Sequence, residues 1–402
     1  MQFEKLTSPL ISITRILLVA SLLTIGLVSC SRTASTGVFT PVSSIANSDQ
    51  PPPPTANSIN PEKTPQIKQQ NEQDNPGTQV PPKTPKEIPS VVEYPVTVIP
   101  LSGPITQSNA EISGMDWFGE YLILLPQYPS RFGSKDDGAV FALSKIDINS
   151  FIAGEISGPL MPIEIPLSLA NIESRIVGYE GFEAIAFQGN RAYLTIEAKP
   201  NGMMGYITSG TIQSDLSALY LDTSKIVEIP PQSNVTNMSD EALLVFGNRM
   251  ITLYEANGAN INPSPQAHTF DSALQLREIL AFPNIEYRIT DATSTDEFGR
   301  FWAINYFYPG DRKLQPNLDS LTARFGKGQS HSQNTTVERL VQFQFSYEGI
   351  SLTDSPPLQL QLMDGQYARN WEAIARLDDV GFLLATDKYP ETIFAFVSTV
   401  QP

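Results

Sequence analysis

Cysteine is almost missing from this chain of 402 residues: Cys30 is the only one, so no intramolecular disulfide can form. Histidine is nearly as scarce, with His268 and His331 alone, which leaves too little imidazole and thiolate for a zinc or copper centre. A Gly-x-Ser-x-Gly nucleophile turn is absent, and His331 lies in a polar stretch rich in Gly and Ser, so a Ser-His-Asp mechanism has no support. The uncharged, mostly apolar run from Ile16 to Val28 is too short to cross a bilayer. Positive charge is also in deficit, with 26 Lys and Arg against 42 Asp and Glu and a net charge of -16. The excess falls after residue 95, so the folded part repels nucleic acid and anionic membranes and attracts cations.

What is present divides the chain in three. Lys5 and Arg15 precede the run Ile16 to Val28, the length of a signal-peptide core, and residues 1–29 are expected to be removed as such a signal. The run ends Leu27-Val28-Ser29-Cys30, which resembles the bacterial lipobox. That resemblance implies lipidation of Cys30 and anchoring to the lipid bilayer in the cell envelope, at the outer membrane or a periplasmic face, since Ser31 stands where an inner-membrane retention signal usually carries Asp. Residues 30–95 then hold the tetraproline Pro51 to Pro54 and the pair Pro81 and Pro82 among Gln, Asn, Ser, Thr and Lys. Such a segment buries too little apolar surface to offset chain entropy and reads as a tether. Its extended limit, at ~3.1 Å per residue, is on the order of 200 Å.

Residues 96–402 carry a repeat. An apolar strand, a short turn and a second apolar strand recur five times with a polar residue at each outer end: Ser113 and Gln127, Glu183 and Glu197, Glu241 and Glu255, Asp291 and Asn305, Glu372 and Asp387. Folding each hairpin about its midpoint makes the two end residues cross-strand neighbours. Further strand-like runs follow each hairpin, among them 139–146, 161–167, 218–222, 225–229, 338–345 and either 350–352 or 358–363, giving about four strands per module. The segment Ser272 to Leu280 fits a short helix as well as a strand. Four antiparallel strands per repeat, with no long periodic helix, predict an all-β fold, a β-propeller of five blades with room for a sixth between Asp291 and Glu372. The last module lacks one strand, and the run from Val96 to Leu101 is expected to join it and close the ring.

In a propeller all five polar pairs gather at one mouth of the central channel. Seven carboxylates there, Glu183, Glu197, Glu241, Glu255, Asp291, Glu372 and Asp387, repel one another unless a cation intervenes, and calcium, which takes ~6 to 8 oxygen ligands, is the expected metal. Amide oxygens of Gln127 and Asn305 add to the candidate ligand set. Basic residues just past the second strands, Arg131, Lys199 and Lys388, suit a small anionic ligand. The candidate catalytic groups are Glu183, Glu241 and Glu372, which would hold the metal while another carboxylate activates water. The alternatives are glycoside hydrolysis by two carboxylates in the same funnel, or a non-catalytic propeller that binds a protein or small molecule.

Three segments carry a family resemblance: Ile112-Ser113-Gly114-Met115-Asp116, Glu180-Gly181-Phe182-Glu183-Ala184-Ile185-Ala186, and Asn370-Trp371-Glu372-Ala373-Ile374-Ala375 followed by Leu383 to Asp387. They resemble blade openings of the phytase-like ("esterase-like activity of phytase") propeller domains. The resemblance implies hydrolysis of phosphate or carboxyl esters. This chain departs from the pattern with Glu-Ala at two openings, Ser113 in place of an acid, and Gln127 and Asn305 at strand ends. The anchoring expectation has a direct check: Cys30→Ser should move the protein from the membrane fraction to the soluble one, and retention in the membrane would reject lipidation at Cys30.

Overall fold

The inner strands of this protein are buried on both sides, not alternately, and the arrangement of the chain explains why. The computed structural model describes residues 91–133, 137–364 and 368–400. Cys30 and the segments 1–29 and 30–90 lie outside the described residues.

Two short strands, β1 (Glu93–Tyr94) and β2 (Thr97–Val98), open the described chain. Four antiparallel strands follow as a first blade, β3 (Ile112–Phe118), β4 (Tyr121–Pro126), β5 (Asp137–Ser144) and β6 (Ile163–Ser168). A second comprises β7 (Tyr179–Gln188), β8 (Arg191–Ala198), β9 (Met204–Ile212) and β10 (Leu219–Ile229), and a third β11 (Asp240–Phe246), β12 (Arg249–Tyr254), β13 (Gln266–Asp271) and β14 (Leu276–Ala281). The fourth runs from β15 (Arg288–Ala292) through β16 (Arg300–Phe307) and β17 (Val337–Ser346) to β18 (Gly349–Leu352) and β19 (Leu358–Leu360). The last has β20 (Trp371–Leu377), β21 (Gly381–Thr386) and β22 (Phe394–Ser398). Its fourth strand is β2, paired antiparallel with β22 through Thr97 to Phe396 and Val98 to Ala395, so a strand from the start of the fold and the last strand clasp the ring. The fold is a β-propeller.

The core lies in the seams between blades, which is what requires strands apolar on both faces. Leu122 and Leu124 of β4 pack with Leu383 and Phe394 of the last blade, while their neighbours Ile123 and Leu125 pack with Phe182 and Leu194 of the second. Tyr193 meets Leu243 and Phe270, Leu244 meets Phe301 and Phe343, and Ile304 meets Trp371 and Leu384 in the remaining seams. Every inner strand is therefore covered from two sides.

Three of the hairpins turn on a glycine at positive φ, Gly119, Gly189 and Gly247, as the first position of a type II′ turn requires. Asp378 takes that role in the last blade at φ 45°. Several expectations are corrected. Ser272 to Leu280 contributes the strand β14 and no helix. The runs 218–222 and 225–229 are one strand, β10, bulged between Asp222 and Val227, and the strand between them and β8 is β9. Both 350–352 and the start of 358–363 are strands, held on β17 at different points along its length.

The hairpin registers also differ from folding about the midpoint. Ile112 pairs with Pro126 and Gly114 with Leu125, so Ser113 is skipped by the ladder and Gln127 lies beyond it. The same bulge recurs at Glu183, Glu241 and Glu372, and a wider one at Thr290 and Asp291. A skipped residue is freed from strand alternation and re-aimed, and bulges of this kind gather beside functional sites. The inner strands approach each other closely where Gly114 of β3 faces Ala184 of β7: a Cβ on Gly114 would lie 2.9 Å from the Ala184 Cα. Gly114→Ala should therefore destabilise the fold by about 1–3 kcal/mol in chemical unfolding, whereas Gly202→Ala, in open space, should leave the midpoint unchanged.

Candidate functional site

The bulged residues open onto a cavity of about 910 Å³ at the mouth of the ring. Of the residues expected there, Ser113, Gln127, Glu183, Glu197, Glu241, Glu372, Asp387 and Lys388 line it. Glu111, Tyr128, Arg288, Tyr306, Tyr308, Asp311, Asn237, Asn370 and Tyr389 join them, and none of these stood out in the repeat. Two of the tyrosines, Tyr308 and Tyr389, are more than half exposed at the rim.

Three expected ligands lie elsewhere. Asp291, three residues along β15 from the mouth, is 2 % exposed and accepts a hydrogen bond of 2.8 Å from the Ile374 backbone N–H, stapling the fourth inner strand to the fifth. Asp116 does the same for the first and second, accepting from Phe187 N–H at 2.8 Å and from Ser294 Oγ at 2.8 Å. Asn305 is fully buried, donating through Nδ2 to the carbonyls of Glu286 and Arg288 and accepting from Arg339 Nε at 2.8 Å. Glu255 is also fully buried, behind the cavity wall. Asn305 pairs with Ile289 and not with Asp291, and the wider bulge in β15 leaves Arg288, rather than Asp291, at the mouth.

The basic residues divide. Lys388 Nζ is 2.7 Å from Glu111 Oε1, and Arg131 Nη1 is 3.0 Å from Glu111 Oε2, so one buried carboxylate holds both cations and ties the first blade to the last. Lys199 is exposed and outside the lining.

Burial governs the carboxyl groups. Glu183 lies well above the usual carboxylate range because it is desolvated and faces Glu197, with only the Gln127 amide, 3.2 Å from Oε1, pulling the other way. Glu197 is pushed up to about 7 by desolvation and then by Glu255. Glu241 is raised by burial, Glu255 and Glu372, and Glu372 by burial and Asp387. Asp387 is raised by burial against the 2.7 Å hydrogen bond it accepts from the Tyr389 N–H. As carboxylates, Glu241 Oε2 and both oxygens of Glu255 would be buried without a hydrogen-bond donor. A proton retained by Glu241 and donated to Glu255 answers that, and it matches the hydrogen bond that raises one and lowers the other.

Arg288 supplies the cation of this group. Its Nη1 lies 2.9 Å from Glu255 Oε1, an ion pair out of line for a hydrogen bond, and its Nε lies 3.1 Å from Asp311 Oδ2. Burial opposes its charge, but Glu255, Glu241, Glu372 and Asp311 together raise its pKa above the ordinary value. Arg288 stands three residues before the polar position of its repeat, where the last repeat also has a basic residue, Arg369, which is spent on Glu338.

Hard oxygen donors suit calcium in kind, but among the described residues no three carboxyl or imidazole groups are placed to hold a metal ion. The residues present therefore do not fit a calcium centre. His331 has a structural place: Nδ1 meets Glu93 Oε1 at 2.8 Å, and Nε2 accepts the Glu338 N–H at 3.2 Å.

No protein-family model matches this chain, and no curated protein matches it. Solved structures similar to it include a glucose dehydrogenase, 9 % identical with a TM-score of 0.39, covering 73 % of this chain and 98 % of that one. The apo-form of the soluble aldose sugar dehydrogenase from Escherichia coli is 9 % identical with a TM-score of 0.38, over 76 % and 99 % of the two chains. The GH43 β-xylosidase/α-arabinofuranosidase CoXyl43 from a compost microbial metagenome is 10 % identical with a TM-score of 0.42, over 76 % and 96 %. Likeness at this level assigns no activity.

The protonation states carry a stability signature. Glu197 holds its proton in the fold up to about 7 against an ordinary value of 4.5, so the folded state binds more protons than the unfolded one between these limits. Its favourable contribution is complete below about 4.5 and is lost as pH rises through about 7. Unfolding midpoints measured from pH 4.5 to 8 should fall across that window, and Glu197→Gln should flatten the decline; an unchanged slope would place the proton elsewhere.

Proposed function

We propose that the cavity is the active site of a hydrolase that works by carboxyl acid and base chemistry on an ester of a small polar substrate. One observation carries this: carboxyl groups from the second, third and last blades meet in a single cavity, where burial raises each of them above the usual carboxylate range. Glu197, ionised in part near neutral pH, serves as the base that takes a proton from water. Glu183, Glu241 and Glu372, each raised well above the ordinary carboxylate value by burial, are the acids of the site, and one of them gives a proton to the leaving oxygen. Water then adds across the ester bond without any net change in protons at the site.

Lys388 lies in the lining and provides the contact for an anionic portion of the substrate, such as a phosphate ester, once that portion competes with Glu111 for its ammonium. Gln127, which donates to Glu183, keeps that acid in place. A membrane-anchored protein of the cell envelope, as the sequence around Cys30 suggests, would present this cavity to extracytoplasmic esters. A second reading, a module that binds without catalysis, is favoured by the exposed rings of Tyr308 and Tyr389, since large aromatic faces at a rim are common in recognition surfaces.

The full chain assayed on chromogenic phosphate esters, carboxyl esters and glycosides should turn over one ester class. Glu197→Gln should lower kcat by about 10²-fold or more without lowering the unfolding midpoint. Turnover of glycosides alone would replace the ester with a sugar substrate. A folded chain inactive on all three would leave the binding module.

A further inference from the structure

The cavity lining is unbalanced in its hydrogen-bonding groups, and that decides what kind of molecule it can hold. Among the described residues it has eight acidic side chains and two basic ones, and both basic ones are already engaged. Arg288 faces Glu255 and Asp311, and Lys388 is held by Glu111 at the rim. A metal ion finds no trio of groups to converge on among the described residues, and an anion that passes the rim meets carboxyls. Acceptors are in surplus inside, and one is buried without a donor: Glu197, 3 % exposed, has an Oε2 with no hydrogen-bond partner among the described residues. Such an interior is matched by a ligand that is uncharged and brings several O–H donors of its own.

The last blade gathers this chemistry in one place. Glu372 is bulged out of the ladder between Trp371 and Ala373, Asp387 stands just past the end of β21, and both line the cavity. Asn370 lies beside Asp387 and joins the lining. Their backbone is fixed by mutual bonds: Asn370 N–H donates to the Tyr389 carbonyl at 3.0 Å, and Asp387 N–H to the Asn370 carbonyl at 3.1 Å. Asp387 Oδ1 accepts the Tyr389 N–H at 2.7 Å, which leaves Oδ2 for other partners. The Tyr389 ring, 60 % exposed, lines the cavity next to this group. Two carboxyls, an amide and an open aromatic face on one fixed strand end complement a sugar ring, which has hydroxyls around its edge and C–H groups on its faces. Burial raises the proton affinity of Glu372 and Asp387, and a carboxyl that keeps its proton both donates and accepts, as a hydroxyl does.

We propose that Asn370, Glu372, Asp387 and Tyr389 form a subsite for a neutral sugar ring, which makes the substrate of the cavity a sugar ester. The carboxyls and the amide take the hydroxyls of the ring, and Tyr389 covers one of its faces. Glu183 and Glu197, both on the second blade, are left to act as acid and base. The proposal rests on the hydrolase reading and names its substrate class, but it is read out by the binding of sugars that carry no ester, so the two can fail separately.

The test is titration calorimetry on the full chain with glucose, galactose and mannose, with the uronate of each, and with cyclohexanol as a ring bearing a single hydroxyl. At least one neutral sugar should bind with a millimolar Kd or tighter, and its uronate and cyclohexanol should bind about 10-fold more weakly or worse. Asp387→Asn should weaken the sugar about 10-fold, and Tyr389→Ala by about 3-fold or more. Glu228→Gln, on an exposed side chain of β10 outside the lining, should leave its Kd unchanged. No heat with any of the neutral sugars overturns the proposal. So does a uronate that binds as tightly as its parent sugar, or a sugar Kd that is unaltered in Asp387→Asn. If Asp387→Asn fails to fold, Tyr389→Ala, whose ring is at the surface, decides on the same readout. A chain that hydrolyses esters but binds no sugar keeps the hydrolase reading and overturns this one, whereas sugar binding without turnover supports this subsite and removes the hydrolase.

Discussion

Everything at the cavity depends on the pairing of β2 with β22. Two residue pairs and the Ile99 N–H to Phe394 carbonyl bond of 2.8 Å bring the beginning of the fold to its end. Without that clasp the five hairpins would form an open, curved stack with an unpaired edge at each end. With it, the inner strands surround one axis, and side chains from positions as far apart as Ser113 and Asp387 share one volume. Closure also forces carboxyls together, which is costly unless they keep protons or find cations. Burial raises the proton affinity of the glutamates, and the guanidinium of Arg288 lies against Glu255 and Asp311.

Much of this is legible in the sequence, for a physical reason. Three of the hairpins have two-residue turns with Gly at their first position, so strand, turn and strand occupy nearly constant spacing, and the period survives low similarity between copies. The missing last strand is likewise legible, because a module short by one strand at the end and an unassigned apolar run at the beginning can be paired on paper. What is not legible is the bulge. It shifts the ladder by one residue, so that Glu197 stands opposite Gly181 rather than Phe182, and no residue type announces it. Bulging nonetheless preserves the outcome at Ser113, Glu183, Glu241 and Glu372, whose side chains still reach the mouth. At Asp291 the wider bulge does not, and the acid goes to the backbone of the next blade.

The missed residues follow from the same limit. Arg288 precedes the polar position of its repeat by three residues, and a period-based reading looks only at the position that recurs. Glu111 precedes the first copy, and its role as the shared partner of Arg131 and Lys388 is set by the meeting of the first and last blades. Basic residues that look free on loops are consequently held in advance. The cavity has charge of both signs, but each cation already has its carboxylate, and a ligand must exchange partners to bind.

The clasp also determines how the domain bears force. β1 lies parallel to β19, β2 lies against β22, and Glu93 is bound by the His331 ring, so the chain enters through contacts on two adjacent blades before the first full blade begins. Tension applied N-terminal to Val91 is delivered first to these few hydrogen bonds and only afterwards to the seams. A pull strong enough to peel β2 from β22 would strip the fourth strand from the last blade and leave the seam of Leu122, Leu124, Leu383 and Phe394 to hold the ring. The first load on the propeller is therefore taken by its two shortest strands, β1 and β2, before it reaches the apolar seams.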